Sequence, residues 1–253
     1  MLFTSGNYFI FLAAVFFVYW LLARWRLARV CFLLAASYYF YALWNPKFLA
    51  LLFLLSTFDF LNALGIHKAP RPALRKLLLS LSVLVNVGAL FTFKYFNFFS
   101  ASLTDLLKKV GWHSSLPMFE SLVLPLGLSF IAFRSLSYVI DVYRGTIEPT
   151  RRYLDYLTFV AFFPTIIAGP LARARDLLPQ FQTRPVVSNE EGAQGLFLIL
   201  LGLVKKIAIA DFLANNLVDR VFDQPQLYSS VETLCAIYGY ALQIYCDFSG
   251  YTD

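Results

Sequence analysis

The sequence predicts an all-α, polytopic integral membrane protein, and three observations carry that class. Hydrophobic residues make up 59% of the 253 and charged residues only 14%, with a mean hydropathy of +0.66, whereas a soluble domain carries roughly 25% charged residues. Twenty-seven Phe and fifteen Tyr exceed what a single water-soluble core would bury. Finally, the apolar runs approach the ~20 residues that cross a hydrocarbon layer as a helix, and short basic loops separate them. About eight such segments are expected, in one membrane domain covering residues 1–253. The net charge of +6 resides in those loops, a pattern of membrane topology rather than of a nucleic-acid face.

Segment one, Asn7 to Ala23, has no basic stretch before it and Arg24, Arg26 and Arg29 after it. It reads as a retained helix that starts outside the cytoplasm. Segment two is Val30 to Trp44, Asn45-Pro46 makes a turn, and segment three is Phe48 to Ile66. The loop His67 to Lys76 carries Lys68, Arg71, Arg75 and Lys76 before segment four, Leu77 to Phe96. Both basic loops are expected on the cytoplasmic side, with Lys47 outside. Residues Phe98 to Pro117 read as an outer connection. Within it Leu103–Trp112 fits either an interfacial amphipathic helix or a solvated loop.

Segment five, Leu122 to Tyr143, is chemically richer. Arg134, Ser137, Asp141 and Arg144 recur at three- and four-residue steps and so stripe one helical face. Asp141 and Arg144 are close enough in sequence to pair, near the inner cluster of Arg144, Arg151 and Arg152. The next run, Tyr153 to Ala168, leads into Gly169-Pro170, and its FFPTIIAGP stretch is interrupted by Pro164 and Pro170. Broken backbone at membrane depth is tolerated only against protein or a wet cavity, so a re-entrant or kinked segment lining a cavity is expected.

Arg173 to Asn189 reads as a polar linker. Ser188 and Glu191 form a capping box opening a helix whose Gly192, Gly195 and Gly202 permit close packing. Lys205 and Lys206 read as snorkelling to an interface. After the linker Asp223–Gln226, a closing segment from Val231 ends in YGYALQIYCDFSGYTD. There Gly239, Gln243 and Asp247 share a face at four-residue steps, with Tyr245 and Ser249 nearby. An intramembrane carboxylate invites a functional reading. The three cysteines lack metal-ligand spacing and read as buried, unreactive thiols. No phosphate-binding glycine loop and no HExxH pair is present. The two histidines, His67 and His113, fall outside the apolar segments, so no nucleophile–histidine pair is visible.

Four stretches carry a family resemblance: LPLGLSFIAFRSLSYVIDVYRG (Leu124–Gly145), FFPTIIAGPLAR (Phe162–Arg173), GLVKKIAIADFLANNLVD (Gly202–Asp219) and YALQIYCDFSGYTD (Tyr240–Asp253). With MLFTSGNYFIFL and YYFYALWNPKFL, they resemble the membrane-bound O-acyltransferase family, in its bacterial alginate O-acetyltransferase branch. The resemblance implies helices forming a funnel around a central tunnel in the bacterial inner membrane, with the N-terminus periplasmic. It also implies acyl transfer from a cytoplasmic acyl-CoA or carrier thioester to a hydroxyl acceptor such as an exopolysaccharide. Periplasmic acetylation proteins would be partners, with no bound cofactor and no metal.

Residues expected along the tunnel or substrate path are Arg134, Asp141, Arg144, Pro164, Gly169, Pro170, Gln243, Tyr245, Asp247 and Ser249. The family's essential histidine would lie beyond Asp253, and neither His67 nor His113 matches it. The chain thus resembles roughly the N-terminal half of such an enzyme and is expected to be inactive alone. Arg134 and Cys246 depart from the branch, which usually carries an uncharged residue such as Gln and an aromatic there. Two other readings stay open: a polytopic transporter or polysaccharide-export subunit, which would move substrate without acyl transfer, and a non-catalytic scaffold, which would bind partners without consuming thioester.

Overall fold

A computed structural model describes residues 6–109, 125–167, 169 and 172–253, and every described element is helical. These residues fall into two compact units, one of residues 6–167 and 172–185 and one of residue 169 with residues 186–253.

The first unit contains α1 (Gly6–Leu21), α2 (Arg26–Ala42), α3 (Phe48–Lys68) and α4 (Pro72–Leu90). A π-helical turn, Phe91–Tyr95, joins α4 to α5 (Phe96–Lys109) without a break in the helical run. The unit continues with α6 (Leu128–Arg144), α7 (Tyr153–Ala161) and α8 (Ala174–Gln182). Two described helices are long and apolar enough to cross a membrane: α3, and the 38-residue run Pro72–Lys109.

That run corrects the expected boundaries. Proline suits a first helical position because its missing N–H is an orphan there anyway, so α4 starts at Pro72 rather than Leu77. At the other end, residues 98–109 continue the helix instead of forming an outer connection, while residues 110–117 lie outside the described residues. The expected linker Arg173–Asn189 likewise contains α8, which buries Ala174, Leu178 and Phe181 on one face. Of the cysteines only Cys246 is buried; Cys31 and Cys235 are exposed.

Around the apolar core of this unit, two helices show an inverted polarity. In α4 the buried residues are Ser82 and Asn86, while Leu77, Leu81, Leu84 and Val87 are exposed. The buried residues of α5 are Ser100 and Thr104, with Phe98, Phe99, Leu103 and Leu106 outward. Polar side chains inside and large apolar ones outside is the arrangement that suits lipid as the solvent.

Contacts between helix ends place the basic loops together. Arg26, in the first turn of α2, pairs with Asp155 in the first turn of α7. Buried Arg29 donates to the carbonyls of Phe181 (3.1 Å) and Thr183 (2.6 Å) at the end of α8. Arg75, opening α4, donates to the Tyr143 carbonyl at the end of α6 (2.7 Å).

The second unit comprises α9 (Asn189–Leu203), π-helical segments Val204–Asp211 and Ala214–Val218, α10 (Asp219–Asp223) and α11 (Ser230–Thr252). Capping boxes open α9 at Ser188/Glu191, as the spacing predicts, and α11 at Ser229/Glu232. In each box the N–H of the serine donates to the glutamate, which holds both carboxyls below their ordinary range. The two long helices cross at Gly202 and Gly250. A Cβ on Gly202 would lie 2.5 Å from the Gly250 carbonyl oxygen, and one on Gly250 2.7 Å from that of Gly202. Gly202 thus meets the close-packing expectation; Gly195 has nothing within 4 Å of such an atom.

Candidate functional site

Besides buried Arg29, two polar centres lie among the described buried residues of the first unit. One repairs a broken helix. In a continued α7, the Val160 carbonyl would accept from residue 164, which is a proline without an N–H. The helix instead ends at Ala161 and a 3₁₀ turn, Phe163–Thr165, follows. Arg134, 1% exposed on α6, supplies the missing donors. Its Nη1 reaches the carbonyls of Phe159 (3.2 Å) and Val160 (3.3 Å), and its Nη2 the carbonyl (2.7 Å) and hydroxyl (2.6 Å) of Thr165.

The Phe163 N–H, which would otherwise close onto Phe159, donates to Ser37 Oγ on α2 at 3.3 Å. Gly127 completes the enclosure with φ +66°, and a Cβ there would lie 2.2 Å from the Ile166 carbonyl oxygen. The interruption at Pro164 therefore forms as the sequence predicts, and protein groups satisfy it.

The second centre is Asp59 on α3, which is completely buried. Its Oδ2 accepts from Asn86 Nδ2 of α4 (2.8 Å) and from Ser135 Oγ of α6 (2.5 Å), and Ser135 Oγ also lies 2.8 Å from Tyr156 Oη of α7. One carboxylate thus ties four helices, and no ion pair reaches it among the described residues. Sequence reasoning missed this centre. The available signal was a lone aspartate inside an apolar run, as costly at membrane depth as Asp247.

The second unit brings five acidic and basic side chains, Lys205, Lys206, Asp211, Asp247 and Asp253, together near the α9–α11 crossing, with Ser249 beside them. Lys206 Nζ lies 2.6 Å from Asp247 Oδ1 and 2.8 Å from Asp211 Oδ1. Lys205 Nζ lies 2.9 Å from Ser249 Oγ and 2.5 Å from Asp253 Oδ2. These contacts correct the snorkelling assignment of both lysines: their ammonium groups turn toward α11, and the side chains of Lys205 and Lys206 are 22% and 33% exposed. A glycine pair brings the backbones close enough for such bridges to form. The π-helical winding of Val204–Asp211 is a feature often found at functional sites.

The remaining predicted residues scatter. Gln243 follows Gly239 onto the inner face of α11, and its amide oxygen is buried without a hydrogen-bond partner. Tyr245 is 65% exposed. Asp141 is half-buried and Arg144 exposed. No ion pair joins them among the described residues; the Asp141 backbone carbonyl accepts from Thr146 at the glycine-terminated end of α6. Gly169 is buried, and Pro170 lies outside the described residues.

Comparison with known proteins bears on what such a scaffold does. No protein-family profile matches the chain. Over 253 residues, 98% of the chain, it is 39% identical to a probable alginate O-acetylase of Azotobacter vinelandii, and it covers 49% of that protein. A peptidoglycan O-acetyltransferase of Helicobacter pylori is 33% identical over 97% of the chain and 51% of that protein. A teichoic acid D-alanyltransferase of Streptococcus thermophilus is 26% identical over 53% of the chain and 33% of that protein. The chain spans about half the length of the first two, and the resemblance carried by its four motif stretches is borne out.

Proposed function

We propose that this chain, which belongs with the alginate O-acetylase branch of the membrane-bound O-acyltransferases, supplies the structural half of a membrane O-acyltransferase acting on a polysaccharide. In that reaction the acceptor hydroxyl oxygen attacks the carbonyl carbon of an acyl thioester. The C–O bond forms, the C–S bond breaks, the hydroxyl proton passes to a base, and a thiol leaves. The donor is an acyl-CoA or carrier thioester on the cytoplasmic side, and the acceptor an exopolysaccharide such as alginate, beside periplasmic acetylation proteins. The basic ends of α2, α4, α6 and α7 face the cytoplasm of the inner membrane in this reading, and Gly6 the periplasm. About eight segments arranged as a funnel are the architecture it requires.

The observation that carries a role for these residues is the ion network of Lys206, Asp247 and Asp211 on a membrane-type scaffold. A carboxylate fixed by an ammonium 2.6 Å away is oriented in advance, so it can align an acceptor hydroxyl or a neighbouring catalytic group without reorganising. The test is Asp247→Asn in the full-length protein in its native membrane, with polysaccharide acetyl ester measured at matched protein abundance. Acetylation is expected to fall at least about tenfold, toward the roughly 10²-fold that misplaced reacting groups can cost. Unchanged acetylation would remove Asp247 from the mechanism.

A further inference from the structure

A cleft of about 490 Å³ opens at the basic end of the first unit, between the α6–α7 connection and α8. Its size is that of a small-molecule site. Ile147, Pro149, Ala174 and Leu178 give it apolar walls, and Arg151, Arg152 and Arg175 line it together with one acid, Glu148. The bias of basic residues toward one side of a membrane explains why each loop carries arginine. It does not explain why arginines from two elements, some twenty residues apart, line one cavity.

The side chains of Arg151 and Arg152 make no hydrogen bond or ion pair with the described residues, whereas Arg29 and Arg75 of the neighbouring loops are committed to carbonyls. Arg175 has only an exposed contact with Asp176, 3.5 Å away, of a kind worth little in water. The cleft therefore offers unpaired guanidinium groups over an apolar floor. Guanidinium forks match phosphate oxygens, and basic pockets beside membrane helices hold anionic headgroups.

We propose that this cleft binds the phosphate of an anionic phospholipid headgroup, with Arg151 and Arg152 as its principal ligands and Arg175 closing over it from α8. The chemistry recognised is a phosphate diester. A lipid source is favoured because the apolar floor continues into the binding site, where a free phosphate would gain nothing from it.

The experiment uses purified full-length protein and native mass spectrometry, comparing retention of phosphatidylglycerol with that of phosphatidylcholine. Wild type is expected to retain phosphatidylglycerol preferentially, and Arg151→Gln/Arg152→Gln to reduce that retention at least tenfold. Both positions are exposed and only the backbone of Arg152 is engaged, so the variant keeps the fold, checked by its elution profile. Equal retention by the variant and wild type overturns the proposal. So does displacement of the lipid by millimolar inorganic phosphate, which would make this a site for soluble phosphate. Retention of phosphatidylcholine to the same extent would reduce the cleft to an unspecific lipid contact and overturn it as well.

Discussion

Removing the Arg134 guanidinium tests the account of the broken α7 directly. Arg134→Ala strips donors from the carbonyls of Phe159, Val160 and Thr165 and from the Thr165 hydroxyl. Water does not reach these groups readily, since Phe159 and Val160 are completely buried. Hydrogen bonds inside membrane proteins measure about 0.6 kcal/mol on average and up to ~1.7; buried bonds to charged groups run about 1.5–3 kcal/mol. Four bonds at the lower scale sum to about 2.4 kcal/mol, and the cavity left by the side chain adds to that. A loss of about 3–5 kcal/mol is therefore expected.

For a chain of this size, about 2–4 °C accompany each kcal/mol, so the midpoint of thermal aggregation in detergent should drop by roughly 6–20 °C. Arg134→Gln, with two donors on a shorter stem, should fall between. A shift below about 2 °C for the alanine variant would show that the break is held by something other than Arg134.

Two other substitutions separate packing from charge. Gly202→Val places side-chain atoms where the Gly250 carbonyl already sits, so α9 and α11 must part; cysteine cross-linking between the two helices should become at least several-fold slower, and an unchanged rate would contradict the contact. Asp59→Asn keeps an acceptor for Asn86 and Ser135 and is expected to alter stability by less than about 1 kcal/mol, whereas Asp59→Leu orphans both donors and should cost about 2–3 kcal/mol. Equal thermal midpoints for the two variants would show that the polar contacts at this position are not what ties the helices.

What the sequence disclosed, and what it withheld, follows the range of the interactions concerned. The interruption at Pro164, the capping box at Ser188 and the inward face of Gly239, Gln243 and Asp247 rest on spacings of a few residues, and each is where local rules place it. The partners of Arg134 lie 25 to 31 residues away, and those of Lys205 and Lys206 on α11 lie 41 to 48 away. Nothing in a helical period specifies such meetings. Asp141 and Arg144 show the converse: correct spacing on one helix does not by itself make a pair. Helix α8 escaped because its polar outer face and internal Pro179 mask three buried positions.

The donors that complete the interrupted α7 also have an order in time. Ser37 and Arg134 both precede residues 159–165 in the chain, so translation delivers the groups that satisfy the break before the break itself emerges. A segment with exposed carbonyls is a poor guest for lipid, and had its partners been encoded downstream, insertion would have had to hold it unsatisfied until they arrived. Here each new stretch meets a surface already prepared for it. A circular permutation that moved α6 behind α7 would leave every contact possible in the finished protein and still burden its assembly.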